Sequence, residues 1–353
     1  MAIDESAELP FLPFADKQLF GDAEWQMQDA AFRFIGNTTF SQQKEWSFKR
    51  VTQGLSGGTV VRCSHPLGDF ALKRWPATTT ANRLDEIHRV QQFAGKSLNL
   101  VPELIPWRSN QMRLTTGNSN FDFARWKGGC EFNGGVGEVL AAVNRGAEAI
   151  ARFHRSTVGL GVKSAIAPAV IQRIDRLASL KGLLPDAIAR VSLHRESIRQ
   201  AGKFLAGNWR LLQQKSESIL KKWSDRVVPI QWVLRDIHRE HVLFDQGEVT
   251  GMVDFDAVRR DTLATDLARW VGSFADLTVP NELLWSEAFC GYQSTSTISP
   301  CEQELASAIE MVNRYIQLAN WVVWIAMENR TFPCGPEDID RRVTRLLRIC
   351  NSK

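Results

Sequence analysis

The feature that most constrains this chain is a change of periodicity at Gly128-Gly129. Before that point, short runs rich in β-branched and aromatic residues are separated by glycine-bearing turns. They are Trp46-Ser47-Phe48, Val60 to Cys63, Phe70 to Trp75, and Arg113-Leu114 with Phe121-Asp122-Phe123 around Gly117-Asn118. Such runs predict strands. One helix interrupts them, capped by Thr80 and running to about Phe93, with Leu84, Ile87, His88 and Gln91 at helical spacing. After the glycine pair the pattern turns helical. Gly137 to Arg155 carries Leu140, Val143, Ala147, Ile150 and Phe153 at that spacing, and further helices are predicted near 168–180, 192–222, 300–328 and 338–349. Pro229 to Phe255 stands out as a strand-like insert. The expected class is α+β: an extension over 1–47 packed on the body, a small sheet domain over 48–127, and a larger, mostly helical domain over 128–353.

Composition excludes several alternatives. The chain has 353 residues, 44% of them hydrophobic and 23% charged, so it can bury a large core and is not disordered as a whole. A net charge of +4, with no block of five like charges, argues against a dedicated nucleic-acid arm. Cys63, Cys130, Cys290, Cys301, Cys334 and Cys350 lie far apart without C-x-x-C spacing, which argues against a zinc site or disulfide framework and for a reduced, cytoplasmic setting. The acidic start, Met1 to Glu5, is followed by no apolar run, so no signal peptide is expected. Leu318 to Met327 is about half the ~20 residues of a membrane span and contains Asn320. A soluble protein without a membrane partner is expected.

The chemistry concentrates in Trp232-Val-Leu-Arg-Asp236-Ile-His-Arg-Glu-His241 and the segment that follows, through Asp254-Phe255-Asp256. Asp245-Gln246-Gly247-Glu248 reads as a turn between two apolar runs. Counting back along an antiparallel hairpin sets His241 opposite Met252, one same-face step from Asp254. A loop carboxylate, a potential ligand and a second carboxylate then converge at one end of the hairpin. Such a grouping is costly unless a cation or a substrate compensates.

This stretch resembles the catalytic loop and metal-binding segment of the aminoglycoside phosphotransferase and choline kinase superfamily. That family reads His-Gly-Asp-x-His-x-x-Asn, then a hairpin, then Asp-Phe-Asp or Asp-Phe-Gly. Thr265-Asp266-Leu267-Ala268-Arg269 is similar to the segment that follows in the family. The resemblance implies a protein-kinase-like two-lobe fold, ATP as donor and a small hydroxyl-bearing acceptor, in a monomer or homodimer. It implies that Asp236 takes or orients the acceptor's hydroxyl proton, and that Asp254 and Asp256 hold Mg²⁺ on the ATP phosphates. Two positions depart from the pattern. Leu234-Arg235 replaces His-Gly, and His241 replaces the metal-binding asparagine. Imidazole is a poor ligand for Mg²⁺ and suits Mn²⁺ or Zn²⁺ better. The departures also motivate a second reading, a non-catalytic nucleotide-binding protein of the same fold. A protein kinase ranks third, because no Ala-Pro-Glu segment follows Asp256.

The first lobe adds candidates. Around Ser56, Gly57 and Gly58, glycines let backbone N–H groups approach phosphates. Ala71 and Lys73 share a strand face, a small residue for a flat base and a lysine for phosphates. Glu86 is the expected partner of Lys73, although a shift of register brings His88 there instead. Phe121 to Gly129 reads as the hinge, with backbone groups at Ala124 and Trp126 free for adenine. His154 reads as a packed structural histidine. Acceptor specificity is expected between the catalytic loop and residues 300–330, where Trp321 and Trp324 read first as core and second as an aromatic wall.

Overall fold

Alternation along the early strands builds a sheet with two different faces. The computed structural model describes residues 27, 30, 31, 33, 34, 46–51, 57–66, 68–108, 111–332 and 334–351. Strands β1 (Ser47–Arg50), β2 (Thr59–His65) and β3 (Gly68–Arg74), helix α1 (Ala81–Gly95), and strands β4 (Arg113–Thr116) and β5 (Ser119–Arg125) come first. The five strands form one antiparallel sheet in the order β1-β2-β3-β5-β4. Successive side chains on a strand point to opposite faces. Phe70 and Leu72 of β3, with Phe121 and Phe123 of β5, therefore turn to one side, where they pack with Cys63, Leu114 and the helical residues Met27, Ala30, Ala31 and Phe34. Phe123 stacks between Phe70 and Phe34, at centroid distances of 4.9 and 5.4 Å. Ala71 and Lys73, paired with Ala124 and Asp122, are left on the other side. Of the expected 1–47 extension, residues 27, 30, 31, 33, 34, 46 and 47 are described, and the others lie outside the described residues. Thr80 caps α1 by accepting from the Arg83 N–H at 3.3 Å, and Leu84, Ile87, His88 and Gln91 are buried along it.

The second half is helical with two small sheets set in it. Strand β6 (Cys130–Glu131) and helix α2 (Val139–Thr157) follow the glycine pair, then β7 (Lys163–Ile166), α3 (Pro168–Arg190) and α4 (Glu196–Lys221). Next come β8 (Val227–Val233), β9 (Val242–Asp245), β10 (Glu248–Met252) and β11 (Arg259–Asp261). Helices α5 (Ala264–Gly272), α6 (Asn281–Gln293), α7 (Pro300–Ala326) and α8 (Pro336–Asn351) complete the described chain. The fold is α+β and protein-kinase-like, a sheet lobe on a helical lobe. Sequence periodicity missed α5 and α6. Helix α5 is only nine residues long, so its one polar face, Thr265, Asp266 and Arg269, is too short a repeat to stand out. Trp321 is buried in the helical core against Trp324 and Phe332. Among the described residues, no helix is long and apolar enough to cross a membrane.

The hairpin departs from simple counting. Gln246 and Gly247 both adopt positive φ, as a two-residue type I′ hairpin turn requires, and Asp245 pairs with Glu248 and Phe244 with Val249. A bulge between Val249 and Gly251 then shifts the ladder by one residue, so Leu243 faces Gly251 and Val242 faces Met252. The expected His241–Met252 pairing is thereby corrected. His241 sits opposite Val253, whose N–H donates to its carbonyl at 2.9 Å.

Candidate active site

One buried carboxylate fixes the loop between β8 and β9. Asp266, at the start of α5, is fully buried. It accepts from the backbone N–H groups of Leu234 and Arg235 at 2.8 and 2.6 Å. His154 Nε2 meets the same carboxylate at 2.9 Å, and His154 Nδ1 meets the Tyr292 hydroxyl at 2.9 Å. His154 is thus structural, as its place on a packed helix suggested. Arg235 is held at φ 67°, and Asp254 at φ 62°. Non-glycine residues pay about 1–3 kcal/mol in that region, so both persist only because their surroundings hold them.

The loop presents Asp236, whose carboxylate accepts from Arg269 Nε at 2.7 Å and stays 48% exposed. Oxygen and ring-nitrogen atoms of Asp236, His238 and His241 lie within 4.8 Å of one another. His241 Nδ1 donates to the Asp236 carbonyl at 2.8 Å, because a carbonyl can only accept. In the neutral ring that bond turns the Nε2 lone pair outward, 3.6 Å from Asp254 Oδ2. A ligating histidine is oriented in this way, its second nitrogen fixed by a backbone carbonyl. The separation suits a nitrogen and an oxygen meeting at one ion.

Asp254 and Asp256 already share one cation, Lys73. Its Nζ lies 3.3 Å from Asp254 Oδ1, contacts Asp256 Oδ1, and sits 4.3 Å from the centre of the Trp75 ring. Burial alone would lower the lysine's pKa, but the Asp254 and Asp256 carboxylates outweigh it and raise it. Burial would likewise raise Asp254, yet Lys73 and His241 hold it below the usual carboxylate range. Asp256 is pushed up to about 7, first by burial and then by the neighbouring Asp254.

Glu86 is not part of this cluster, which corrects the expectation. It is 39% exposed and paired with Arg83 Nη1 at 2.6 Å. The buried stripe of α1 runs through Leu84, Ile87, His88 and Gln91, and Glu86 falls at its edge. The helix reaches the site in two other ways. Arg83 Nη2 donates to the carbonyls of Asp256 and Val258 at 2.9 and 2.5 Å. His88 Nε2 meets Asp122 Oδ2 at 2.9 Å, and Trp75 Nε1 donates to the same oxygen at 2.7 Å. Asp122, opposite Lys73 in the sheet, is the carboxylate that sequence reading missed. Its signal was there, a buried aspartate on the same strand face as Ala124.

A cleft of about 1100 Å³ lies between the lobes. Val60, Ala71, Leu104 and Ala124 form an apolar slot from above, with Leu243, Val253 and Phe255 from below. Gly58 lines it beside the Lys73 chain, and Gly57 takes φ 77° at its rim. Ser56 lies outside the described residues. Trp126 also lines the cleft, but its N–H is donated to the Asp69 carbonyl at 2.9 Å, so it is not free for a base. Gly129 has no alternative: a Cβ there would stand 2.4 Å from Thr250 Oγ1. This close crossing ties the hinge to the hairpin. The far wall comes from α8 and not from residues 300–330 as expected. Arg342, Arg345 and Arg348 line the cleft, with Asp276 and Arg239 below them.

Comparison with known proteins agrees with this geometry. The sequence model described as "Phosphotransferase enzyme family" matches residues 47–294. An aminoglycoside phosphotransferase from Alicyclobacillus acidocaldarius is 14% identical, over 86% of this chain and 89% of that one, with a TM-score of 0.57. An amicoumacin kinase solved with AMP-PNP and Ca²⁺ is 12% identical over 94% of each chain, with a TM-score of 0.60. A microcompartment-associated aminopropanol kinase is 13% identical over 91% and 95%, also at 0.60. No curated protein sequence matches significantly.

Proposed function

The chain belongs to the phosphotransferase enzyme family, and from that membership we propose that it moves the γ-phosphoryl group of ATP to the hydroxyl of a small molecule. The adenine lies in the slot between Ala71 and Ala124 above and Val253 and Phe255 below. In the transfer, the acceptor oxygen forms a bond to the γ-phosphorus as the bond from that phosphorus to the ADP oxygen breaks. Asp236 takes the hydroxyl proton or orients it, and Arg269 keeps the carboxylate aimed. Most of the rate comes from positioning and from neutralising phosphate charge.

Asp254, Asp256 and His241 fit a divalent cation. His241 Nε2 lies 3.6 Å from Asp254, and the Lys73 ammonium is held by both Asp254 and Asp256, so the carboxylates bind positive charge. The ion supplies charge neutralisation on the phosphates. Lys73 then leaves the carboxylates for the phosphates, within reach of Asp122 across the sheet. A nitrogen ligand at 241 favours Mn²⁺ over Mg²⁺.

The observation that carries this reading is the convergence of Lys73, Asp254, Asp256 and His241 beside Asp236, from both lobes. Asp236→Asn should retain affinity for AMP-PNP and lose ADP formation by about 100-fold or more. An unchanged rate refutes the role of Asp236. The direct contact of Lys73 with both aspartates also favours a second reading, nucleotide binding without transfer. Stabilisation by ATP without a metal, and no ATP consumption with any alcohol, would select it.

A further inference from the structure

The acceptor half of the cleft is lined by guanidinium groups that its own carboxylates do not fully neutralise. Asp276 serves two arginines at once, Arg239 at 3.2 and 3.3 Å and Arg345 at 3.0 Å. Arg342 has Glu240, at 3.1 Å. Arg348 lines the cleft from the next turn of α8 and has no acidic partner among the described residues. The other charges on this wall cancel. Arg341 pairs with Asp338 at 3.2 Å, and Asp340 is turned to Arg195 and Ser197. Four guanidiniums thus face two carboxylates. Glu131, the one acid lining the cleft without a basic partner among the described residues, stands on β6 beside the hinge.

A cationic acceptor would lose its hydration and meet like charge. A planar oxyanion would meet forked donors whose geometry matches it.

We infer that the acceptor is an alcohol carrying an oxyanion, carboxylate or phosphate, bound by Arg342, Arg345 and Arg348 while its hydroxyl faces Asp236. This rests on the phosphotransferase reading, and it differs from an aminoglycoside acceptor, which is a polycation. Four C3 compounds test it: glycerol, glycerate, glycerol 3-phosphate and 3-amino-1,2-propanediol. ADP release is measured for each, and binding is measured separately by calorimetry with AMP-PNP and Mn²⁺ present. The expected result is at least tenfold tighter binding of one of the two anions than of glycerol, with the amine weakest. The better anion identifies carboxylate or phosphate. Arg348→Gln should collapse that preference, and Arg348→Glu should invert it towards the amine, a gain that mere loss of structure does not produce. Preference for glycerol or the amine, equal binding of all four, or no binding of any overturns the inference. Anion binding that responds to Arg348 without any ADP release upholds it and sinks the transfer reading instead.

Discussion

Replacing Asp266 by asparagine should unfasten the loop between β8 and β9 that carries Asp236. The carboxylate is fully buried and accepts three hydrogen bonds, from Leu234 N, Arg235 N and His154 Nε2, at 2.8, 2.6 and 2.9 Å. Asparagine keeps one acceptor oxygen. If that oxygen stays on Arg235, the amide NH₂ points at the Leu234 N–H and the His154 ring, and no water reaches the site to replace the lost acceptor. Hydrogen bonds to a charged group are worth about 1.5–3 kcal/mol each, so losing two costs about 3–6 kcal/mol. At roughly 2 °C per kcal/mol in a chain of this size, the melting temperature should fall by about 6–12 °C. Scanning calorimetry measures that fall, and hydrogen exchange should show the Leu234 and Arg235 amides opening before the rest of β8 does. Combining Asp266→Asn with His154→Ala should cost less than the two changes separately, because they break a shared bond. A melting temperature within about 1 °C of the unmodified protein, with unchanged exchange at both amides, would refute the assignment of Asp266 as the anchor.

Other consequences are open to measurement. His241→Asn should restore an oxygen ligand beside Asp254, so the stabilisation of ATP-bound protein by Mg²⁺ should rise relative to that by Mn²⁺; an unchanged ratio in thermal shift would exclude His241 from the ion's shell. Phe123→Ala removes the middle ring of the Phe70–Phe123–Phe34 stack and should cost about 3–5 kcal/mol in denaturant unfolding, since all three rings are buried. Burial pushes the Cys63 thiol up to about 12, against an ordinary value of 9.0. A thiol whose folded value is raised contributes its full stability below pH 9.0 and loses it as the pH climbs towards 12, where the unfolded chain ionises first. Iodoacetamide at pH 8.5 should accordingly label the exposed Cys290 and Cys301 well before Cys63, read by peptide mass.

The candidate site was only partly legible. Lys73 could be found because strand alternation is local: a small residue and a lysine two apart share a face whatever surrounds them. Asp236, Asp254 and Asp256 could be found because they sit in one continuous motif. Glu86 was misassigned against evidence in the same helix, where the apolar spacing that predicted α1 also carries His88 in its buried stripe and Glu86 at the edge. The bulge between Val249 and Gly251 left no mark in the pattern of apolar residues, so the pairing of His241 was displaced by one. Arg269 stands in the segment that resembles the family, but its ion pair with Asp236, 33 residues away, is set only by the packing of α5 against the loop.

From residues alone came the α+β class, the two differing faces of the sheet, the hairpin turn and the acidic motif, each set by short-range periodicity or by turn chemistry. Tertiary structure alone decided which charges meet. Lys73 stands 181 residues from Asp254, and Arg342 stands 102 residues from Glu240. Coulomb attraction and burial depend on distance in space, and no local spacing encodes a contact between groups that only the packing of two lobes brings together.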